Sequence, residues 1–305
     1  MNIQQFQYVL AVAEHRHFET AAEKCFISQS TLSTMISKLE DELGVIIFNR
    51  KKKPVDITRE GQEIIAQLRV INFEITQLNE LVKKMTGEVT GILKIGCIAT
   101  VAPYLLPLIL YDFSVKYPGL SLEIKESTTD EIVSLIKSRE LDTGIISTPL
   151  NDKELIEYPV YREPFVLYDT SGIHSGGCSL RDMSWDNFWL LEEGHCLSDQ
   201  ILEICSSGNS YIKSPSSIHF KTGSIDSLVR FVKTYKGQTL LPSLAVRNFR
   251  EEDRRHLVRF VQPAPSRTIG LVVHQHFANK QILELLQNEI RLKTALLNDI
   301  EVISP

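Results

Sequence analysis

One helical segment, Thr58 to Gly87, constrains this 305-residue chain more than any other feature. Within it Ile64, Leu68, Ile71, Ile75, Leu78, Val82 and Met85 are spaced 4, 3, 4, 3, 4 and 3 residues apart. That spacing puts them on one seam of a helix and implies a partner helix. A helix packed on its own domain would show a wider apolar face. Ile65 and Leu81 widen this one only somewhat, so the dimerising reading is favoured over intramolecular packing. The segment also divides the chain. Residues 1–58 lie before it, and after Gly91 the pattern changes altogether.

Residues 1–58 are dense in short helical patterns. Ile3, Phe6, Val9, Leu10 and Ala13 share one helical face. A second helix, Phe18 to Cys25, carries Ala21 and Ala22, small enough to let another helix approach. Ser28 is a natural N-cap for a third helix, with Leu32, Met35, Ile36, Leu39 and Leu43 on its buried face and Gly44 ending it. The other face reads Gln29, Ser30, Thr31, Ser33, Thr34, Ser37 and Lys38. Short donor and acceptor side chains of this kind suit a helix in a DNA major groove. A tight hairpin follows, with Arg50, Lys51, Lys52 and Lys53 at its tip. A charge run is usually a solvated turn; beside a helix-turn-helix, phosphate contact ranks above that. The module as a whole is neutral, seven basic against seven acidic residues, so only the wing is basic.

After Gly91 strands and helices alternate. Leu93, Ile95 and Cys97 mark a strand, Pro103 to Tyr117 a helix, and Leu120, Leu122 and Ile124 a second strand. Ile132, Leu135 and Ile136 mark a helix before the third strand, Leu141–Ile146. This order predicts an open, largely parallel sheet with its ligand site beyond the strand carboxyl ends. A second set runs from Arg162 to about Pro265: the strand Phe165–Tyr168, the run Phe188–Leu191, a helix with Ile225, Leu228, Val229 and Val232, and a turn over Gly237–Pro242. The strand Arg267–Val273 and a helix with Ile282, Leu286 and Ile290 close the chain. His274 and His276 are as well explained by a strand end at the surface as by metal ligation.

Composition excludes some classes. No run approaches the roughly 20 apolar residues of a membrane span, and no charged-then-apolar signal opens the chain. A cytoplasmic protein is expected. A net charge of −5 does not advertise nucleic-acid binding, so that reading rests on local features alone. Five cysteines, an odd number, do not form a secreted disulfide framework. Two of them, Cys196 and Cys205, flank Leu197, Ile201, Leu202 and Ile204, which recur at helical spacing. A helix opening at Cys196 would hold the pair roughly 13 Å apart, beyond the ~7 Å that a disulfide tolerates. Bonding would then require unwinding. On these residues alone, two unrelated buried thiols are the favoured account.

Several motifs together resemble the LysR-type transcriptional regulators: Phe18-x-x-Ala21-Ala22, Ile27-Ser28-Gln29-Ser30-Thr31-Leu32-Ser33, Ile36-x-x-Leu39-Glu40-x-x-Leu43-Gly44, Phe48-x-Arg50 and Thr58-x-x-Gly61. The resemblance implies a winged helix-turn-helix over 1–58 and a linker helix over 59–87 that dimerises. It further implies a two-lobed, periplasmic-binding-protein-like α/β regulatory domain. Lobe I would comprise 91–161 and 268–305, and lobe II 162–267. Implied partners are double-stranded promoter DNA, other copies of the chain in a dimer or tetramer, and RNA polymerase.

Within the family, Gly194-His195-Cys196-x-x-Asp199-Gln200 with Cys205 resembles the hydrogen-peroxide-sensing activators. So do Thr100-Val101-x-Pro103-Tyr104-Leu105-Leu106-Pro107, Leu240-Leu241-Pro242 and Arg267-Thr268-Ile269-Gly270. That resemblance, not the spacing by itself, implies a redox pair: Cys196 oxidised to a sulfenic acid, Cys205 resolving it to a disulfide, and a cellular thiol reductant reversing it. It assigns Thr100, Thr129, His195 and Asp199 to peroxide handling, against ordinary helix-start polarity for His195 and Asp199; Arg267, if it reaches the site, would add positive charge beside Cys196. Thr128 competes with Thr129 for its role. Peroxide-sensing members commonly carry arginine where this chain has Ser198, which leaves the tuning of Cys196 open. Cys25 is expected in the core of the second helix, Cys97 in a strand and Cys178 exposed in a loop. No cofactor or metal is expected. The alternatives are a LysR regulator answering an organic metabolite between the lobes and, further off, a thiol peroxidase or cysteine hydrolase using Cys196 and His195.

Overall fold

The structure is a computed structural model that describes residues 1–86, 89–174, 177–181, 183, 185–191, 197, 200–202, 222–277, 279–297 and 299–303, without the side chains at 77 and 79–86. His195, Cys196, Ser198, Asp199 and Cys205 lie outside the described residues, as do the side chains of Val82 and Met85. The chain forms two compact units, Met1–Gly87 with Ser138–Glu140 and Glu88–Lys137 with Leu141–Pro305.

In the first unit, α1 (Ile3–His15) opens with a reciprocal cap. The Gln5 amide donates to the Asn2 side chain and the Asn2 amide to the Gln5 side chain, both at 2.9 Å. Its buried face is Gln5, Tyr8, Val9, Val12 and Ala13, whereas Ile3 is 50% exposed. The apolar stripe read from the sequence is therefore rotated. Gln5 goes inward because its side-chain amide donates to the Met35 carbonyl at 3.3 Å, a polar tie that hydrophobic periodicity does not register.

Helix α2 (Phe18–Lys24) buries Phe18, Ala21 and Ala22. Cys25 caps its end and is half-buried rather than in the core. Helix α3 (Gln29–Leu43) starts where the Thr31 amide donates to Ser28 Oγ at 3.1 Å. It stops at Gly44, whose φ of 67° is the left-handed conformation that glycine adopts without strain. Strands β1 (Phe48–Asn49) and β2 (Asp56–Ile57) pair antiparallel as the wing.

The long helix α4 (Arg59–Thr86) spans 28 residues. Its expected seam splits. Leu68 is buried together with Ile65 in the core of this unit, and Ile64 and Ile71 pack at that core's edge. Leu78 is 62% exposed. The first part of the stripe thus serves the chain's own domain, and Ile65 is the residue that turns it inward. The surface left for a partner helix starts beyond Ile71.

The second unit begins with β3 (Gly91–Ile98), α5 (Ala102–Lys116), β4 (Leu120–Ser127), α6 (Thr129–Lys137) and β5 (Thr143–Thr148). Strand β3 pairs parallel with both β4 and β5. Next come β6 (Leu155–Asp169), α7 (Ile225–Thr234), β7 (Gln238–Pro242), α8 (Ser243–Val246), α9 (Glu251–Arg254) and β8 (Leu257–Val258). The described chain closes with β9 (Ser266–His274), α10 (Lys280–Ala295) and β10 (Glu301–Val302). Strand β9 runs antiparallel to β5 and to β6, and β10, β7 and β8 are each antiparallel to β6. The sheet is therefore mixed, and the largely parallel sheet expected from the element order holds only for β4–β3–β5. The reason lies in the path of the chain. It leaves the first lobe along β6 and returns along β9, so those two strands must run in opposite directions.

Strand β6 belongs to both lobes. It pairs with β9 as far as Pro164 against Ser266, then with β7 from Phe165 against Pro242. The two-lobed α/β architecture follows from that change of partner.

Two loop expectations are corrected. Gln238–Pro242, read as part of a turn, is the fully buried strand β7. Cys178, expected to be exposed, is buried in the second lobe's core: its amide donates to the Arg259 carbonyl at 3.0 Å and its carbonyl accepts from the Val261 amide at 2.9 Å. A backbone ladder of this kind draws a Gly-flanked residue inside. Among the residues between the expected redox pair, Leu197, Gln200, Ile201 and Leu202 are helical, with Leu197 and Ile201 buried in that same core. No helix among the described residues is long and apolar enough to cross a membrane.

Candidate functional site

On the face of α3 expected to meet DNA, Gln29, Ser30, Thr31, Thr34 and Lys38 are exposed, and Ser33 and Ser37 are half-buried. Several hydroxyls are tied to one another. Ser28 Oγ lies 2.9 Å from Ser30 Oγ and 2.8 Å from Thr31 Oγ1, and Thr34 Oγ1 donates to the Ser30 carbonyl at 2.8 Å. The start of α3 is thereby pre-organised, with its outward edge free to meet a base or phosphate.

The wing is held by Glu40, a residue of the Ile36–Gly44 motif to which the sequence assigned no role. Glu40 Oε1 accepts from the Ile47 and Phe48 amides at 2.7 and 3.1 Å, and Glu40 Oε2 accepts from Arg50 at 2.8 Å. Arg50 also donates to Ser33 Oγ at 2.8 Å and Ser37 Oγ at 3.0 Å, and its guanidinium stands 5.1 Å from the Phe18 ring centre. Arg50 is thus tied into the unit through its guanidinium. It fastens the wing to α3. Lys52 is paired with Asp56 at 2.8 Å, whereas Lys51 and Lys53 are exposed with no acidic partner among the described residues.

This separates two kinds of effect. Arg50→Lys is expected to weaken binding to duplex DNA at all salt concentrations alike, because an ammonium cannot bridge three oxygens set in a fork. Lys53→Ala is expected to lower the slope of log K against log salt by about one phosphate contact. Fluorescence anisotropy titrations at several salt concentrations read both.

In the second unit, the parallel strands β3, β4 and β5 end close to hydroxyls. Thr100 lies two residues past β3, Thr129 two past β4, and Thr148 ends β5. The carboxyl edge of such strands is where α/β sheets bind ligands. Thr100 is buried and held from β9: Arg267 Nη1 donates to Thr100 Oγ1 at 2.9 Å and Arg267 Nη2 to the Thr100 carbonyl at 3.1 Å. The same guanidinium donates to Glu163 Oε1 on β6 through Nε at 2.9 Å and Nη2 at 2.6 Å. Arg267 and Thr100 are therefore brought together, with Glu163 as a third member.

Arg267 was expected to bring positive charge to the site. Glu163 pairs with that guanidinium, and the same guanidinium orients Thr100. Burial pushes the Glu163 carboxyl up, and the adjoining guanidinium offsets part of that. Thr129 Oγ1 and Ser147 Oγ are buried without a hydrogen-bond partner, as is Tyr161 Oη. Buried hydroxyls left open are costly and mark places where a small polar ligand or water completes the network. Glu163 escaped the sequence reading, although a signal was there. Tyr161, Glu163 and Phe165 alternate along β6, so a period of two places the carboxylate inward between two buried aromatic residues.

Residues 3–62 match the bacterial regulatory helix-turn-helix protein, lysR family, and residues 86–291 match the LysR substrate binding domain. The chain belongs to the LysR family. These are DNA-binding transcriptional regulators and not enzymes. Among curated LysR-type relatives, the DNA-binding transcriptional dual regulator OxyR of Escherichia coli K12 is 35% identical over 296 residues, with 96% of each chain covered. The hydrogen peroxide-inducible genes activator of Dickeya chrysanthemi is 35% identical, with 95% of each covered. Among solved structures, a full-length cysteine-to-aspartate variant of Pseudomonas aeruginosa OxyR superposes with a TM-score of 0.79 at 29% identity, covering 96% of this chain and 95% of that one. A peroxide-bound cysteine-to-serine variant of Corynebacterium glutamicum OxyR gives 0.64 at 26% identity, covering 97% and 93%. Among LysR-type regulators, this chain is OxyR-like from end to end.

Proposed function

We propose that this LysR-family regulator senses hydrogen peroxide through Cys196 and Cys205 and thereby alters its hold on the promoters of peroxide-stress genes. The observation that carries the reading is the full-length likeness to hydrogen peroxide-inducible activators, in a chain that keeps two cysteines nine residues apart. The Cys196 thiolate attacks one peroxide oxygen as the O–O bond breaks. Sulfur gives up two electrons, the sulfenic acid forms, and the departing oxygen leaves as water after protonation. The Cys205 thiol then attacks that sulfur, an S–S bond forms, and a second water is lost. A cellular dithiol reverses the reaction.

Thr100, oriented by Arg267, donates or accepts at the peroxide, and Thr129 offers its open hydroxyl. His195 and Asp199 serve as polar groups beside Cys196. A helix-start position and local donors lower a thiol's pKa, which Cys196 needs in order to react at neutral pH. Oxidation draws Cys205 toward Cys196 and pulls on Leu197 and Ile201, which are buried in the second lobe. Subunit packing in a dimer or tetramer changes with it, and so does the spacing of the α3 helices on DNA. RNA polymerase is the downstream partner, and the cytoplasm the compartment that supplies the reductant.

The test is the DNA footprint with and without peroxide. Wild type is expected to change its protected region on oxidation, and Cys196→Ser is expected to keep the reduced pattern at every dose. A peroxide-dependent footprint in Cys196→Ser overturns the proposal.

A further inference from the structure

A cavity of about 950 Å³ opens in the regulatory unit, and none of Thr100, Thr129 or Arg267 lines it. Its apolar wall is Phe165, Val246, Leu257, Phe260, Leu296 and Ile300, and its basic side is Arg247, Arg254 and Arg259. We propose that this cavity is a second ligand site, one that takes a small organic anion bearing a carboxylate or phosphate.

Three observations support it. First, the size falls within the roughly 300–1,000 Å³ of small-molecule sites. Second, the charge balance favours an anion. Of the two acidic residues lining the cavity, Asp299 lies 3.9 Å from Arg259 and Glu301 lies 3.5 Å from Arg162. Arg247 and Arg254 have no carboxylate within bridging distance among the described residues. They are tied to each other through the backbone, with Arg254 Nη2 donating to the Arg247 carbonyl at 2.9 Å. Guanidinium groups left open beside an apolar wall match a carboxylate or phosphate on a hydrocarbon body. Third, Ser243, only 5% exposed, lines the cavity with its Oγ buried and without a hydrogen-bond partner. An anion's oxygen would satisfy it.

The cavity's place in the fold gives it a consequence. Pro164, Phe165 and Val166 line it where β6 exchanges β9 for β7. The preceding residue, Glu163, holds Arg267 and through it Thr100. An anion bound there biases the lobe crossing and, resting on the peroxide-sensing reading above, changes how readily Cys196 is oxidised. By linkage, oxidation alters anion affinity by the same factor.

Calorimetric titration of the full-length Cys196→Ser chain with citrate, benzoate and inorganic pyrophosphate tests the site without any thiol chemistry. One molecule of at least one probe is expected to bind per chain, and Arg247→Ala and Ser243→Val are each expected to weaken it by about tenfold. Arg247 is exposed, so its variant keeps the fold, which the fluorescence of Trp185 and Trp189 checks. If no probe binds, or if the Arg247→Ala, Arg259→Ala double variant binds as well as its parent, the site is overturned. In the chain with both thiols, a saturating probe is expected to change the rate of disulfide formation at least about twofold, the signature of coupling. An unchanged rate overturns the coupling. A chain that forms no disulfide with or without probe instead overturns the peroxide reading and leaves the binding result standing.

Discussion

Replacing Glu163 by leucine lowers the stability of the regulatory unit by about 3–5 kcal/mol, the usual result of stranding one member of a buried ion pair. The side chains of Glu163 and Arg267 are 0% and 1% exposed, and their closest approach is 2.6 Å. Without the carboxylate, Arg267 keeps its proton because a guanidinium does not deprotonate in proteins. A guanidinium charge then sits between β6 and β9 without its closest carboxylate. Glu163→Leu combined with Arg267→Met is expected to recover most of the loss, since a hydrophobic pair of similar volume is often neutral or better. Stability alone would therefore tolerate an apolar pair here, and the ionic one is explained by its orienting of Thr100.

Urea denaturation followed by tryptophan fluorescence measures this cleanly. The chain's two tryptophans, Trp185 and Trp189, are both buried in the second lobe's core. The signal reports the regulatory unit without the DNA-binding module. A Glu163→Leu midpoint equal to wild type would mean that Arg267 reaches water or another anion, and its role in fixing Thr100 would fall with that.

The sequence displayed some of this arrangement openly and hid the rest, and the division has physical causes. Helices α1 to α3 were visible because short amphipathic helices repeat apolar residues every three to four positions and carry caps such as Ser28 and Gly44. The rotation of α1 was not visible, because a buried glutamine bonded to a distant carbonyl looks like any surface glutamine. The α4 seam was legible as a stripe, but the stripe does not say which part faces a partner. Leu68 has the same spacing as Leu78 and the opposite environment.

Strand order read as βαβαβ was correct for β3, β4 and β5. The direction of β9 depends on a pairing more than a hundred residues away, which no local pattern encodes. The ligand-side residues divide likewise. Thr100, Arg267 and Glu40 all stand in motifs that carry the resemblance, but no role for Glu40 and no place for Glu163 could be read, because a lone carboxylate reads as solvent-exposed until its partners are seen. Both acidic residues perform the same service. Each collects an arginine and holds a surface in place, the wing in one unit and the carboxyl edge of the sheet in the other.

Treating the Cys205→Ser chain with one equivalent of hydrogen peroxide leaves Cys196 as a sulfenic acid, one oxygen heavier and open to trapping by a dimedone-type nucleophile. The wild-type chain under the same dose loses two of its five thiols as a Cys196–Cys205 disulfide. The assignment is sharp because the described cysteines are poor competitors. Cys97 is fully buried, and burial pushes its thiol far up, so almost none is thiolate at neutral pH. Cys25 is half-buried and shifted in the same direction. Cys178 is enclosed by its backbone ladder to Arg259 and Val261. Only a thiolate attacks peroxide at a useful rate, so at one equivalent the oxidant is expected to partition to Cys196. The contrast between the two chains then separates chemistry from switching. A trapped sulfenic acid with an unchanged footprint in Cys205→Ser, against a changed footprint in wild type, assigns the conformational step to the disulfide and not to the first oxidation. Peptide mapping after peroxide treatment decides it. Oxidation appearing first at Cys25, Cys97 or Cys178 would remove Cys196 from the role of sensor, and the regulator would then have to answer some other signal.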